Sequence, residues 1–275
     1  MPWAVWIWMP KVCRCVTIWQ SKKKIVAAAL VKKVAANVSL SGEVTMKKRV
    51  VWCMFDGSGI MGLPWAIRGC DVYCFNADSG DHGEYKIRME HSKIQYVNIW
   101  IDKDFDVKRT ILGIPDPDII FAFPSCTLLA HSGVKHARQT QDVLSAADDA
   151  KMIEQLGDQY NCPWMVENPV GKLSTLWRKP DFYFHPRDFG GYVAPHEEVW
   201  HPKMPHCDNY TKKTCIWHGN GFVEPKRLLP PEGVEGVDFF WAWKFLGGKS
   251  ERTKMLRSIT PRGFARAVFQ ANFNE

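Results

Sequence analysis

Asp118-Ile-Ile-Phe-Ala-Phe123, running into Pro124-Ser125-Cys126, is the stretch on which the fold turns. It is an apolar run of strand length that ends in a proline and a thiol. Pro163-Trp-Met-Val166, running into Glu167-Asn168-Pro169, repeats the pattern with an acid in place of the thiol. Between them, Val143, Ala146, Ala147, Ala150, Ile153 and Leu156 recur at three- and four-residue spacing, which predicts a helix over Thr140–Tyr160. Strand, helix, strand implies parallel neighbours in a sheet covered on both faces. In an open α/β sheet, ligands sit outside the carboxyl ends of the strands. Cys126 and Glu167 are therefore expected to face one cleft.

Further strands are predicted at Val50–Phe55, Asp71–Ala77 and Gln95–Ile101, with a helix at Ile60–Arg68. Residues 170–248 break the rhythm: they are rich in Pro, Gly, His and aromatic residues and read as a small irregular lobe. Thr260 as N-cap and Pro261 at the first helical position open a last helix, Arg262–Ala271. The expected organisation is an extension over 1–45, a catalytic and cofactor-binding core over 46–169, a small recognition lobe over 170–256 and a returning C-terminal helix over 257–275. Residues 1–45, with Trp3, Trp6, Trp8 and Trp19 and two lysine clusters, read as a poorly ordered extension. A chain starting at Met46 is expected to fold and keep its activity.

The net charge of +7 is unevenly placed. Residues 1–49 carry ten Lys/Arg against Glu43 alone, so the remainder is slightly acidic. Bulk charge is thus no argument for nucleic-acid binding by the core. Local charge is different: Lys244, Lys249, Arg252, Lys254, Arg257, Arg262 and Arg266 face only Glu251 in sequence. Such a run is as often a solvated helix face as a binding surface. Nine scattered cysteines fit no disulfide framework and suggest a reducing, cytoplasmic setting. No apolar run is long enough to span a membrane.

Gly57-Ser-Gly59-Ile-Met-Gly62 is a G-x-G-x-x-G run between strand and helix. Asp78 and Asp102 are placed at the ends of the next two strands, where a carboxylate can take ribose hydroxyls. A dinucleotide and S-adenosyl-L-methionine both fit this pattern. The adjacent Asp56 would repel a pyrophosphate but suits a sulfonium or an α-amino group, which favours S-adenosylmethionine. A cysteine at a strand end is a candidate nucleophile, although free cysteine is more often a small buried hydrophobe. A glutamate at the next strand end can hydrogen-bond a ring nitrogen or give it a proton, or simply satisfy loop N–H groups.

With these residues in hand, the chain from Arg49 onward resembles the DNA cytosine-5 methyltransferases of compact bacterial and phage type. Phe55-Asp-Gly-Ser-Gly59 resembles the family's cofactor loop, Asp78 its ribose acid and Asp102 its adenine-contacting acid. Phe123-Pro-Ser-Cys126 resembles its nucleophile loop, and Glu167-Asn168 its Glu-Asn motif. Arg257-Ser-Ile-Thr-Pro-Arg262 resembles the segment that follows its target-recognition region. The resemblance implies an α/β, Rossmann-like, mostly parallel methyltransferase sheet with a small recognition lobe. It also implies Cys126 addition to C6 of a flipped cytosine, Glu167 on N3, and Asn168 orienting the loop. The cofactor would lie against Phe55, Asp56, Gly57, Gly59, Asp78, Asp102 and Pro124. Ser125, Lys213, Arg252, Lys254, Arg257 and Arg262 are the expected DNA contacts. A monomer in the cytoplasm of a bacterial or phage-infected cell, with a cognate restriction endonuclease as possible partner, completes the expectation.

Three departures stand out. Ser125 occupies a position where many members have a second proline, and Pro169 one where valine is common. The arginine-bearing strand of the family has its nearest counterpart in Tyr210-Thr-Lys-Lys-Thr-Cys215, which offers Lys212 or Lys213; lysine is no bidentate substitute for arginine. His196, His201, His206, Cys207, Cys215 and His218 lack regular metal-ligand spacing, so no metal is expected. A nicotinamide-dependent oxidoreductase, a non-catalytic DNA-binding relative, and the same chemistry on RNA or a free nucleotide remain alternatives.

Overall fold

A computed structural model describes residues 48–77, 87–130, 139–248 and 250–273. The expectations for 1–45, Asp78 and Lys249 lie outside the described residues. From Lys48 onward the chain forms one compact unit.

The strands are β1 (Val50–Met54), β2 (Asp71–Asn76), β3 (Ile94–Asn98), β4 (Ile119–Ala122), β5 (Trp164–Pro169), β6 (Phe182–Phe184) and β7 (Thr214–Gly219). The helices are α1 (Leu63–Ile67), α2 (Phe105–Ile111), α3 (Thr140–Tyr160), α4 (Leu173–Leu176), α5 (Trp241–Phe245), α6 (Glu251–Ser258) and α7 (Arg262–Asn272). The strands form one sheet in the order β3-β2-β1-β4-β5-β7-β6. Strands β1 to β5 pair in parallel, and β7 runs antiparallel between β5 and β6. The fold is the α/β, mostly parallel, Rossmann-like sheet expected.

Alternation along each strand divides the core. Val51, Cys53, Val72, Cys74, Phe121 and Met165 face one layer, which holds Trp65 of α1 and Phe264 and Val268 of α7. Val50, Trp52, Met54, Phe75, Ile120, Trp164 and Val166 face the other, which holds Phe105 of α2 and Val143, Ala147 and Ile153 of α3. Both faces of the sheet are apolar because both are covered by helices.

Several boundaries differ from the sequence reading, each for a local reason. Helix α1 starts at Leu63 and not Ile60, because residues 59–62 form the turn and Pro64 sets the first helical turn. Strand β3 ends at Asn98, its last partner being Asn76. Pro261, in extended conformation, is the N-cap of α7, and Thr260 is buried beside it. Strand β5 continues through Glu167-Asn168-Pro169, which the sequence reading left in a loop, because β7 pairs with all three. Strands β6 and β7, assigned from sequence to a separate lobe, complete the sheet. Phe184 stacks on Phe264 of α7 at a ring separation of 4.2 Å, which ties this part of the chain to the main core. Among the described residues no helix is long and apolar enough to cross a membrane.

Candidate active site

Parallel pairing of β4 and β5 stops at Ala122↔Val166. Beyond that point β5 keeps only β7 beside it, through Glu167↔Ile216, Asn168↔Cys215 and Pro169↔Thr214. The chain leaving β4 no longer pairs with β5, and the candidate cleft is placed where the two part. Phe123-Pro124-Ser125-Cys126 forms its rim. Asn168, 1% exposed, donates its side-chain amide to the Pro124 carbonyl at 2.9 Å. The Cys126 carbonyl accepts from the N–H groups of Leu129 (3.1 Å) and Ala130 (2.8 Å). The loop is thus held on both sides of the thiol. Ser125 is exposed and bonds only locally, its hydroxyl meeting Thr127.

Seven cysteines lie among the described residues, and Cys126 alone of these is exposed. Desolvation raises its thiol above the ordinary value; Lys212 opposes that rise and Glu167 adds to it. Burial likewise raises the Glu167 carboxyl, again against Lys212. One ammonium therefore acts on both reactive groups. Its position is fixed: Lys212 Nζ donates to the Arg257 carbonyl at 3.3 Å and lies 5.3 Å from the Phe240 ring centroid. Lys213, the residue preferred from sequence, points elsewhere, its ammonium 4.5 Å from the Tyr183 ring centroid. Adjacent residues on an extended segment face opposite ways, so a one-residue choice decided the matter.

The glycine loop follows β1. Phe55 and Gly59 both have positive φ, at 57° and 71°. At Gly59 an added Cβ would lie 2.4 Å from the Tyr96 hydroxyl oxygen, so the position requires glycine twice over. Tyr96 braces the loop from behind by donating to the carbonyls of Ser58 (3.1 Å) and Met89 (2.8 Å). Asp56 is 4% exposed and turned into the loop. Its Oδ1 accepts from Ser58 N (2.7 Å), Ser58 Oγ (2.8 Å) and Gly59 N (3.0 Å), and Oδ2 is buried without a partner. Ile60 N donates to Ser58 Oγ at 3.3 Å.

Asp56, expected from sequence to meet the cofactor, thus also shapes the loop from inside. The same bonding bears on the choice of ligand. Pyrophosphate binding needs free N–H groups at a glycine turn and at a helix N-terminus. Here the amides of Ser58, Gly59 and Ile60 are already bonded, and α1 begins only at Leu63 with five residues. Three amides of the loop are thus closed off by bonds within it.

Asp102 lies four residues past β3 and opens α2, its backbone carbonyl accepting from Phe105 N. Its carboxylate is exposed and paired with Lys108 at 2.6 Å, which holds it below the usual range. The basic residues of the C-terminal run separate into two groups. Arg252 and Lys254 are exposed on α6. Arg257 donates to the Leu246 carbonyl at 2.6 Å, and Arg262 pairs with Glu197 at 3.4 Å and covers the Trp200 ring. Buried nitrogens on both, Arg257 Nε and Arg262 Nε and Nη2, have no partner. Arg257 and Arg262, expected from sequence to meet phosphates, are thus each bonded within the protein.

The histidines and cysteines of 196–218 do not converge. His201 stacks on Trp241, Cys207 meets the Val193 carbonyl, and His218 packs against Phe182 and Phe222. Among the described residues, one group has metal-like proximity: Cys53, Asp56 and Cys74, whose ligand atoms lie within 4.8 Å of one another. Burial raises the Cys53 thiol, and its hydrogen bond with Cys53 raises Cys74 further. All three are buried, and the two thiols hydrogen-bond to each other beneath the glycine loop.

No family model matches the chain, and no curated protein matches it in sequence. Among solved structures it is similar to a proposed DNA modification methyltransferase encoded within an Escherichia coli prophage. That likeness has 15% identity and a TM-score of 0.39, over 74% of this chain and 56% of the other. It is also similar to the Bordetella bronchiseptica enzyme WbmH in complex with NAD+, at 13% identity and a TM-score of 0.28, over 42% of this chain and 36% of that one. An NAD+-bound imine reductase variant from Myxococcus stipitatus follows at 14% identity and a TM-score of 0.21, over 46% and 42%. The chain spans little more than half the length of the prophage protein.

Proposed function

We propose that the protein transfers a methyl group from S-adenosylmethionine to C5 of cytosine in DNA. The observation that carries the reading is the pairing of an exposed thiol and a desolvated carboxyl at neighbouring strand ends, both under the influence of Lys212. The sheet order supports it. A dinucleotide-type sheet continues 3-2-1-4-5-6 with a parallel sixth strand; here antiparallel β7 intervenes.

Cys126, as thiolate, adds to C6 of the ring, and the C5–C6 π pair moves onto C5. Glu167, its carboxyl kept protonated longer by burial, engages N3 and drains charge from the ring. Asn168 keeps the thiol in place through Pro124, and Lys212 favours the thiolate. Phe55, Gly57, Gly59, Asp78, Asp102 and Pro124 would hold S-adenosylmethionine, which when bound would supply an electrophilic methyl group to C5 and leave as S-adenosylhomocysteine. Loss of the C5 proton then returns the electron pair to the ring, and the S–C6 bond breaks to restore Cys126. A duplex hides C6 from the thiol, so the base must leave the stack.

The test is a covalent trap. Protein, S-adenosylmethionine and DNA carrying 5-fluorocytosine are combined, because fluorine at C5 blocks the elimination step. An adduct that survives denaturation and disappears with Cys126→Ser is expected. No Cys126-dependent adduct on any DNA would overturn the reading.

A further inference from the structure

Phe239-Phe240-Trp241-Ala242-Trp243-Lys244-Phe245 has five aromatic residues in seven. The role proposed for the cleft leaves them unused. Trp241 is the anchor, 1% exposed and stacked on His201 at 5.3 Å. Trp243 and Phe245, on the same short helix α5, are 61% and 43% exposed. Two large exposed rings on one five-residue helix are more than a stray surface residue.

The segment is continuous with the cleft. Lys212, which acts on Cys126 and Glu167, has its ammonium 5.3 Å from the Phe240 ring centroid. Trp243 packs edge-on against Phe240 at 5.8 Å. A row therefore runs from Lys212 through Phe240 to the exposed indole. Further cations lie over the neighbouring rings of the segment. Lys244 Nζ lies 4.2 Å from the Phe239 centroid and 5.8 Å from that of Phe245, and Lys203 Nζ lies 5.7 Å from Phe245. Arg252 and Lys203 both act on His201, which rests on Trp241. Asp238, the acid beside the row, is paired with Arg187.

We infer that α5 is a stacking platform for an unpaired nucleobase next to the reactive one, with Trp243 as its face and Lys203, Lys244 and Arg252 on the flanking phosphates. Exposed π-faces interleaved with cations complement a strand that carries bases on one side and negative charge on the other. A base beside a flipped nucleotide has lost a stacking partner, and the indole replaces it. The inference deepens the nucleic-acid reading of the cleft and rests on it.

Full-length protein titrated against a fluorescein-labelled single-stranded oligonucleotide, followed by anisotropy, tests the platform. Trp243→Ala is expected to weaken binding about tenfold or more, and Trp243→Phe far less. On an oligonucleotide of abasic sites, Trp243→Ala and wild type should bind alike, since no base remains to stack. Lys244→Ala should weaken both oligonucleotides. Equal affinity of wild type and Trp243→Ala for the intact strand overturns the platform, as does failure of wild type to bind it. Cys126→Ser separates the two proposals. Trp243-dependent binding by this variant, without any methyl transfer by wild type, would leave the platform and remove the enzyme. Methyl transfer and binding untouched by Trp243→Ala would do the reverse.

Discussion

The side-chain amide of Asn168 donates to the carbonyl of Pro124 across 2.9 Å, joining the end of β5 to the loop that carries Cys126. Forty-four residues separate the partners in the chain. Both are buried, and the Asn168 carbonyl oxygen has no partner of its own. Asn168→Ala should leave the Pro124 carbonyl buried and unbonded, at a cost of about 1–3 kcal/mol in urea unfolding. Methyl transfer should fall much further than stability does, because the thiol loses its tether. Equal losses in both would point to a scaffold role alone.

Lys212 should set the pH at which the thiol works. Thiolate content rises with pH, and Lys212 holds the Cys126 thiol lower than desolvation alone would. Removing the ammonium in Lys212→Met raises Cys126 and Glu167 together. The rising limb of the single-turnover rate should then move to higher pH. Lys212→Arg, which keeps the charge, should move it little. Lys213→Met serves as the contrast and should leave the limb where it is.

The closed glycine loop predicts cofactor choice. Calorimetry should detect S-adenosylmethionine binding and none with NAD+. Asp56→Ala removes the acceptor for three donors. It should weaken S-adenosylmethionine binding without creating affinity for NAD+, since the freed loop loses its shape. Tight NAD+ binding by the wild type would instead favour an oxidoreductase.

The two kinds of basic residue should separate in salt titrations. Arg252→Ala is expected to weaken DNA binding and to lower the salt slope by roughly one. Arg262→Ala should leave that slope unchanged and lower thermal stability, because the side chain is 14% exposed and pairs with Glu197.

Asp149 offers a stability test remote from the cleft. Burial, with Asp148 adding to it, raises its carboxyl from 3.8 to about 6. A raised folded-state value stabilises the protein below the unfolded value, and that contribution is lost as pH rises through about 6. Asp149→Asn should therefore melt higher than wild type at pH 8, with the gap closing towards pH 4.

Much of this was legible from local pattern. Helix α3 carries its 3.6-residue period within its own sequence, and its limits coincide with the expected Thr140–Tyr160. Strands β1, β2 and β4 are short apolar runs bounded by turn residues and were placed to within a residue or two. Strands β6 and β7 were not legible, because their partners lie far off in sequence and β6 has only three residues. Lys212 was passed over for Lys213 because which way each points depends on register, and register is a tertiary property. The charge of Arg257 and Arg262 was visible, but not that both are turned inward onto carbonyl and carboxylate partners.

Glu167 stands inside a hydrogen-bonded ladder, opposite Ile216 of β7. A residue on a flexible loop can follow its ligand; one fixed in a strand cannot. The thiol loop springs from the adjacent strand, so the sheet sets where the carboxyl stands, and the Asn168 bond to Pro124 sets where the thiol loop stands against it.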